Sequence, residues 1–410
     1  MPARTRVNPL GVARFGPGFE WKTDDDEFVL QFHDLTQVDG RFYSQAGQDP
    51  VTDTFAIPRQ WFIWSGRLTK PYEYFVSLQN GFDNLGLLDD FLNVHYDDRL
   101  QFKVGRYKTP FTYEFFQLPV QGLITPERSL FFNNFALNRA IGTMIWGRLF
   151  DKKLDYATGI FNTNRNGLID TSDGKAVLAY LNYRPFAASE GSLLENFNLG
   201  GSVDSGNRFG TPLPDTLRTV VPTTGNAVAG LPFLQFDPMV IQEAGNYTMW
   251  DVHAALYYKH LSLVGEWGSG RQNYSPIANA NNRTRVPVSS WYVQAGYFVT
   301  GETVSFRGLV EPIRDFDLRP GRFGLGALEI FARYDILELG DVVFTNQLAN
   351  PADWTDRVYL TDLGFNWYWT QYIKFVFDWE HSEFATPVLF APGKRHINDN
   401  LFWFRFQIFF

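Results

Sequence analysis

Charged side chains recur at every second position of segments that are otherwise apolar: Lys103; Asp251, His253 and Lys259; Glu329, Arg333 and Asp335; Lys374, Asp378 and Glu380; and Arg405. A spacing of two places them on one face of an extended strand. Fixed charges of both signs along a wall need no reactive group to act, because they set the field on a path that a solute follows. Bond-making chemistry has no comparable set. The chain has no cysteine, so neither a disulfide nor a thiolate metal site can form. Its histidines, His33, His95, His253, His260, His381 and His396, are scattered without a His-Glu-x-x-His spacing, which argues against a metal centre. A Gly-rich phosphate loop and a Gly-x-Ser-x-Gly nucleophile elbow are both missing from the sequence. The chain therefore reads as a non-enzyme with no cofactor. The acidic run Asp24-Asp25-Asp26-Glu27 is a short solvated stretch ahead of the first strand.

The elements that position these charges are strands. The last eleven residues set Phe402, Phe404, Phe406, Ile408 and Phe410 on one face against Leu401, Trp403, Arg405, Gln407 and Phe409 on the other. A wholly apolar face on a terminal strand suits lipid. The same alternation gives strands near 27–37, 55–67, 70–80, 88–97, 99–107, 138–149, 152–163, 174–185, 195–206, 247–259, 260–270, 288–300, 322–336, 356–370, 372–384 and 400–410. No stretch reaches the roughly 18 apolar residues of a spanning helix. Strands can cross a bilayer only when closed into a ring that pairs every N–H and C=O. The fold expected is thus all-β, a transmembrane antiparallel β-barrel of about 16 strands, wide enough to hold water.

Residues 1–26 read as a periplasmic N-terminal segment and 27–410 as a single barrel. Short turns fall near 97–99, 149–152, 259–261 and 370–372, and long excursions near 108–137, 207–246, 271–287 and 385–399. In a bacterial barrel the short turns face the periplasm, with both termini, and the long loops face outside. No apolar core of a secretory signal follows the basic residues of the first ten positions, so the expectation is an exported chain written without its signal. Net charge −8 and a pI near 5.3 argue against a nucleic-acid partner.

The stretches Val104-Gly-Arg-Tyr-Lys-Thr-Pro-Phe111, Thr125-Pro-Glu-Arg-Ser129, Asn138-Arg-Ala-Ile-Gly142 and Gly364-Phe-Asn-Trp-Tyr368, with the closing strand, resemble the phosphate-selective porin O/P family. The resemblance runs from about residue 27 to 410 and implies a homotrimeric outer-membrane channel of a Gram-negative-type bacterium, set in outer-membrane lipid. It also implies that a loop after the fifth strand folds into the lumen, here 108–137. Ten large apolar side chains, among them Phe111, Phe115, Phe116, Leu118, Leu130, Phe131 and Phe132, suit that loop to an inner wall. Glu127 and Arg128 either tether it or line the constriction, and tethering is favoured. Arg59, in Ile57-Pro-Arg-Gln-Trp61, resembles one member of an arginine pair on the second strand, with Pro58 at the partner position.

The pore-lining and constriction residues expected are Arg59, Lys103, Lys108, Glu127, Arg128, Glu329, Arg333 and Arg405, of which Arg59, Lys103 and Arg128 are expected to meet the solute. The sequence departs from the family's basic richness, since loop 108–137 sets Lys108 and Arg128 against Glu114 and Glu127. The function expected is a water-filled channel for passive diffusion of small hydrophilic solutes or inorganic ions, anions such as phosphate included. Two alternatives stand beside it. Inward Phe75, Tyr257, Tyr292, Phe298 and Tyr368 would suit a sugar-selective channel, and loops that plug the lumen would suit a structural or adhesive surface barrel.

Overall fold

The structure, a computed structural model, describes residues 10–15, 18–44, 51–81, 84–170, 172–220, 230–237, 239–391 and 393–410. Sixteen antiparallel strands form the wall: β1 (Val29–Tyr43), β2 (Thr54–Thr69), β3 (Tyr72–Gly81), β4 (Asn84–Asp97), β5 (Leu100–Lys108), β6 (Arg139–Leu149), β7 (Leu154–Asn162), β8 (Lys175–Tyr183), β9 (Asn196–Gly210), β10 (Ile241–Tyr258), β11 (Leu261–Pro276), β12 (Thr284–Phe298), β13 (Ala327–Leu339), β14 (Arg357–Tyr368), β15 (Ile373–Ala391) and β16 (Lys394–Phe409). Each pairs with its chain neighbours, and β16 closes on β1 in the register Phe404↔Gly40, Arg405↔Asp39, Phe409↔Leu35. All sixteen expected segments are strands of this ring.

Two features of the expected layout are corrected, and a third is filled in. The excursions expected at 271–287 and 385–399 are mostly strand, since β11 runs to Pro276 before β12 starts at Thr284, and β15 runs to Ala391 before β16 starts at Lys394. Beyond the bilayer a strand keeps its backbone ladder but needs no apolar face, so apolar alternation stops before the hydrogen bonding does. Lys259 does not point into the lumen. It sits exposed in the turn between β10 and β11 with φ +50°, its ammonium 5.2 Å from the Tyr258 ring. Within the first 26 residues, Leu10–Phe15 and Phe19–Thr23 form a hairpin, and the second of these strands pairs with Val29–Phe32. There β1 extends past the end of β16, and an uncovered sheet edge would be a template for aggregation.

Exposure follows the alternation. Asp251, His253, Ala255 and Tyr257 are buried inside, while Val252 on the same strand is 46% exposed outside. Aromatic rings mark two levels of the outer face, with Tyr72, Tyr96, Tyr258 and Tyr297 near one end and the Trp250–Trp267 and Trp291–Tyr334 contacts higher up. From Tyr258 to Trp250 is about 26 Å along the strand, or about 20 Å across the bilayer once strand tilt is allowed for. That is close to the height of an apolar band bounded by aromatic girdles.

Phe410 and the N-terminal hairpin lie at one end of the barrel, the terminal end, where Phe410 N–H donates to the Asp34 carbonyl at 3.1 Å. Most connections at that end are short. Two are longer, residues 184–195 between β8 and β9 and, longest, residues 299–326 between β12 and β13. At the far end, loop 211–240 carries a two-stranded ribbon (Thr216–Arg218 with Pro232–Gln235) whose Leu217, Phe233, Leu234 and Phe236 are buried.

Phe404 faces lipid from β16, its ring 5.1 Å from that of Phe377. Phe404→Arg is expected to destabilise the barrel by about 2–4 kcal/mol, the cost of a cation on the lipid face near the midplane. Urea titration in lipid vesicles, followed by the heat-modifiable gel shift, checks it. An unchanged midpoint would mean that this face does not meet lipid.

Candidate functional site

The loop between β5 and β6 lies inside the ring. Two short helices, α1 (Tyr113–Phe116) and α2 (Leu130–Phe135), are capped by the side chains of Thr112 and Ser129, which accept from the N–H groups of Phe115 and Phe132. Phe111, Leu118 and Leu137 are fully covered, and Phe115 stacks on Phe132 with ring centroids 4.3 Å apart. Phe131 presses on the wall where β11 has Gly268. A Cβ there would lie 2.3 Å from the ring, so only glycine admits this contact.

Charged wall residues hold the loop by its backbone. Glu127 accepts from Arg59 at 2.6 Å on each carboxylate oxygen and from Arg405 at 3.0 Å. Arg405 also donates to the Pro126 carbonyl at 2.6 Å, and Arg333 to the Glu127 carbonyl at 2.8 Å and Thr125 Oγ1 at 3.0 Å. Lys374 reaches the Leu123 carbonyl at 2.9 Å and Asn366 the Ile124 carbonyl at 2.8 Å. Asp335, also on β13, accepts the Leu130 N–H at 2.7 Å, and Glu266 on β11 accepts those of Tyr113 and Glu114 at 2.7 and 2.8 Å. A loop without a regular ladder is thereby supplied with partners for its backbone groups.

A second segment enters from the terminal end. Val304 N–H donates to the Lys259 carbonyl at 2.7 Å, and from there the chain carries Arg307 into the barrel. Arg307 is 1% exposed; it forms a bidentate pair with Glu329 at 2.5 and 3.0 Å and donates to the Gly122 carbonyl at 3.0 Å. Gly122 and Gly308 meet there, and a Cβ on Gly122 would stand 3.0 Å from the Gly308 carbonyl oxygen. The two inserts thus touch inside the ring, on the side of β11 to β14.

The opposite side stays open. A cavity of about 550 Å³ lies between the loop and strands β2 to β7, bordered by Trp61, Phe75, Asp89, Phe91, Lys103, Tyr107, Lys108, Arg128, Arg139 and Trp146. A second, of about 590 Å³, continues toward the N-terminal hairpin past Glu73, Arg67 and Lys22, and shares Lys103, Phe75, Phe91 and Trp146 with the first. Lys103 sits where the two meet. Its ammonium lies 4.3 Å from the Phe91 ring centre, 5.3 Å from Tyr107 and 5.0 Å from Trp146.

Of the expected pore-lining residues, Lys103, Lys108 and Arg128 border this cavity. Arg59, Glu127, Glu329, Arg333 and Arg405 do not; they hold the two inserts. Arg333 pairs with its register neighbour Asp362 on β14 at 2.7 Å, while Glu329 takes Arg307 of the second insert. The aromatic residues proposed for sugar stacking are mostly covered, Tyr257, Tyr292, Phe298 and Tyr368 being 0–4% exposed, with only Phe75 on the cavity. Sequence reasoning missed Arg139, paired with Asp89 at 2.9 Å, although Arg139 stands in one of the family-like stretches. It also missed Glu266 and Arg307, whose partners lie more than 20 residues away.

Breaking the Glu127 tether is expected to loosen the constriction. In Glu127→Ala the buried Arg59 guanidinium loses its bidentate carboxylate and Arg405 keeps Asp39 alone, a change of about 3–5 kcal/mol for a broken buried pair. Single-channel records should then show larger and noisier conductance than wild type, and Arg307→Ala a smaller change of the same sign. Steady wild-type conductance in both variants would refute the tethering role.

A profile of the phosphate-selective porin O and P family matches residues 35–383. An uncharacterised protein of Caulobacter vibrioides is 35% identical over 92 residues, a match that spans 22% of this chain and only 18% of that relative's length. Among solved structures the fold is similar to that of OprB from Pseudomonas putida (TM-score 0.55, 11% identity, 94% of this chain and 95% of the other). It is also similar to an anion-selective porin from Comamonas acidovorans (0.52, 11%, 94% and 100%) and to the trimer form of OmpT, an outer membrane protein of Vibrio cholerae (0.52, 8%, 94% and 100%). With the family profile spanning most of the barrel that encloses this constriction, the chain belongs to the phosphate-selective porin O and P family and is a sixteen-stranded porin of the outer membrane.

Proposed function

We propose that this porin passes small solutes by diffusion through an off-centre water path along β2 to β7, with a preference for anions. The observation that carries this reading is how the charges pair. Counted along the sequence, the constriction loop is neutral, but Glu127 is taken by Arg59 and Arg405, and Glu114 Oε2 by the Ser129 N–H at 2.8 Å. Around the cavity Asp89 is taken by Arg139, and Asp155 by Arg148 and Arg184. Among the described residues, Lys103, Lys108 and Arg128 have no carboxylate partner, and all three border the cavity. Lys108 and Arg128 spend donors on the carbonyls of Phe115, Leu118 and Glu114, so they act by field more than by gripping an ion. That supports weak anion preference without a phosphate trap. The Comamonas acidovorans neighbour is described as anion-selective, which agrees with the reading.

The assembly proposed is a homotrimer in outer-membrane lipid, as in the trimer form of the Vibrio cholerae neighbour. The terminal end would face the periplasm and the far end the outside, with residues 27–410 acting as one barrel.

Reversal potential in a KCl gradient tests the reading, and wild type should give the sign of an anion-preferring pore. A unit charge about 4 Å from an ion is worth about 1 kcal/mol in water-like surroundings, or about fivefold in occupancy. Lys103→Glu should therefore move the potential strongly toward cations. A cation-preferring wild type, or a potential that ignores Lys103, would sink the proposal.

A further inference from the structure

On the wall of β10 and β11, away from the cavity, three side chains able to bind a metal converge. Asp251 and His253 are two residues apart on β10, hence on the same inward face, and Glu266 on β11 is in register with His253. One donor atom from each lies within 4.8 Å of the other two. The three residues are 2%, 2% and 7% exposed.

Most of their polar atoms are accounted for. Glu266 Oε2 accepts the Tyr113 N–H at 2.7 Å, and Oε1 accepts the Glu114 N–H at 2.8 Å and the Tyr292 hydroxyl at 2.6 Å. Asp251 Oδ1 accepts from the Ser202 hydroxyl, whose oxygen accepts the Thr112 N–H at 3.0 Å. Asn182 donates its amide N–H groups to Asp155 and Asn198, so its Oδ1, 3.2 Å from His253 Nε2, accepts from the imidazole. That bond fixes the proton on Nε2 and leaves Nδ1 as a lone pair. Two atoms are then orphaned, His253 Nδ1 and Asp251 Oδ2, and they face each other 3.7 Å apart. Two buried acceptors pointing at each other repel, and the separation is too long for a hydrogen bond. It matches two ligands of one cation: with bonds of about 2.1 Å the angle at the ion is about 120°. A ligating histidine normally donates its other N–H to an oxygen, as this one does. Tyr113 and Tyr180 flank the imidazole at 4.8 and 5.6 Å between ring centres and hold its plane. His253 is the one ion-pair neighbour of Asp251 among the described residues, so the two carboxylates have no guanidinium or ammonium to neutralise them.

We infer that Asp251, His253 and Glu266 bind a divalent transition cation, with His253 Nδ1 and Asp251 Oδ2 as ligands and a Glu266 oxygen beside them. The ion staples the constriction loop to the wall, because Glu266 and Ser202 already hold the backbone N–H groups of Thr112, Tyr113 and Glu114. The test uses the full chain refolded after chelation, with Zn²⁺ as the probe. Calorimetry should give one ion per chain, and crystals grown with zinc should show an anomalous peak between the three side chains. Asp251→Asn and His253→Gln should each weaken binding about tenfold or more, since even outer-shell changes cost that much. Absence of both the heat and the peak overturns the proposal, as does binding that both variants retain. Should a variant lose its heat-modifiable fold, the position of the wild-type peak decides.

Discussion

Arg405 joins the two things on which this barrel depends. From β16 it crosses the closing seam to Asp39 on β1, with bonds of 2.7 and 2.9 Å, and the same guanidinium reaches Pro126 and Glu127 of the constriction loop. Glu127 passes the connection on to Arg59 of β2, and Asp39 also takes Arg41. The first, second and last strands are thus tied to the loop by one cluster of alternating charge. Removing such groups from water is costly, and the cost is offset only when geometry is good and remaining lone pairs are filled. Here the pairs are bidentate or shared, at 2.6–3.2 Å. Bidentate guanidinium–carboxylate pairs are among the stronger polar contacts available.

That cluster also makes the lumen asymmetric. Anchors on β2 and β13 to β16 draw the loop's 121–127 stretch to their side, and Glu266 and Asp335 hold its helices against β11 and β13. Protein fills that half, and water is left with the other. Charge follows the same division. Carboxylates serve as anchors on the packed side, whereas three cations on the open side make no ion pair among the described residues and touch carbonyls and rings instead. A neutral tally over the loop residues hides this separation, because the field in the path depends on which charges remain unpaired.

The wall was legible because lipid imposes a strict rule on it. A strand in the bilayer must be apolar on its outer face, and β16 obeys at Phe402, Phe404 and Phe406 while Arg405 marks the inner face. Where lipid ends the rule lapses, which is why β11 and β15 outrun their periodic segments. The inward position of Arg333 and Arg405 followed from the same rule, but their partners did not. Asp362 and Asp39 are fixed by strand register, and Glu127 by the path of a loop that has no period. The segment 299–326 escaped notice because it has no alternation and sits at the end where short turns are the norm. Its one signal is Arg307 between Phe306 and Gly308, a charge among residues suited to burial.

The two inserts explain how so wide a ring acquires a defined constriction. A ring of sixteen strands is too broad for its own side chains to fill. A loop rooted only at the far end would hang free at its lowest point, near Gly122, with its carbonyls exposed to moving water. The segment from the terminal end meets it there: Arg307 bonds the Gly122 carbonyl while Glu329 neutralises the guanidinium, and Gly308 gives the backbones room to touch. Support from both ends leaves the loop as a fixed inner wall. Selection in such a pore follows from charges held in place, and Lys103, caged by three rings at the junction of the two cavities, is the charge on which the proposed anion preference turns.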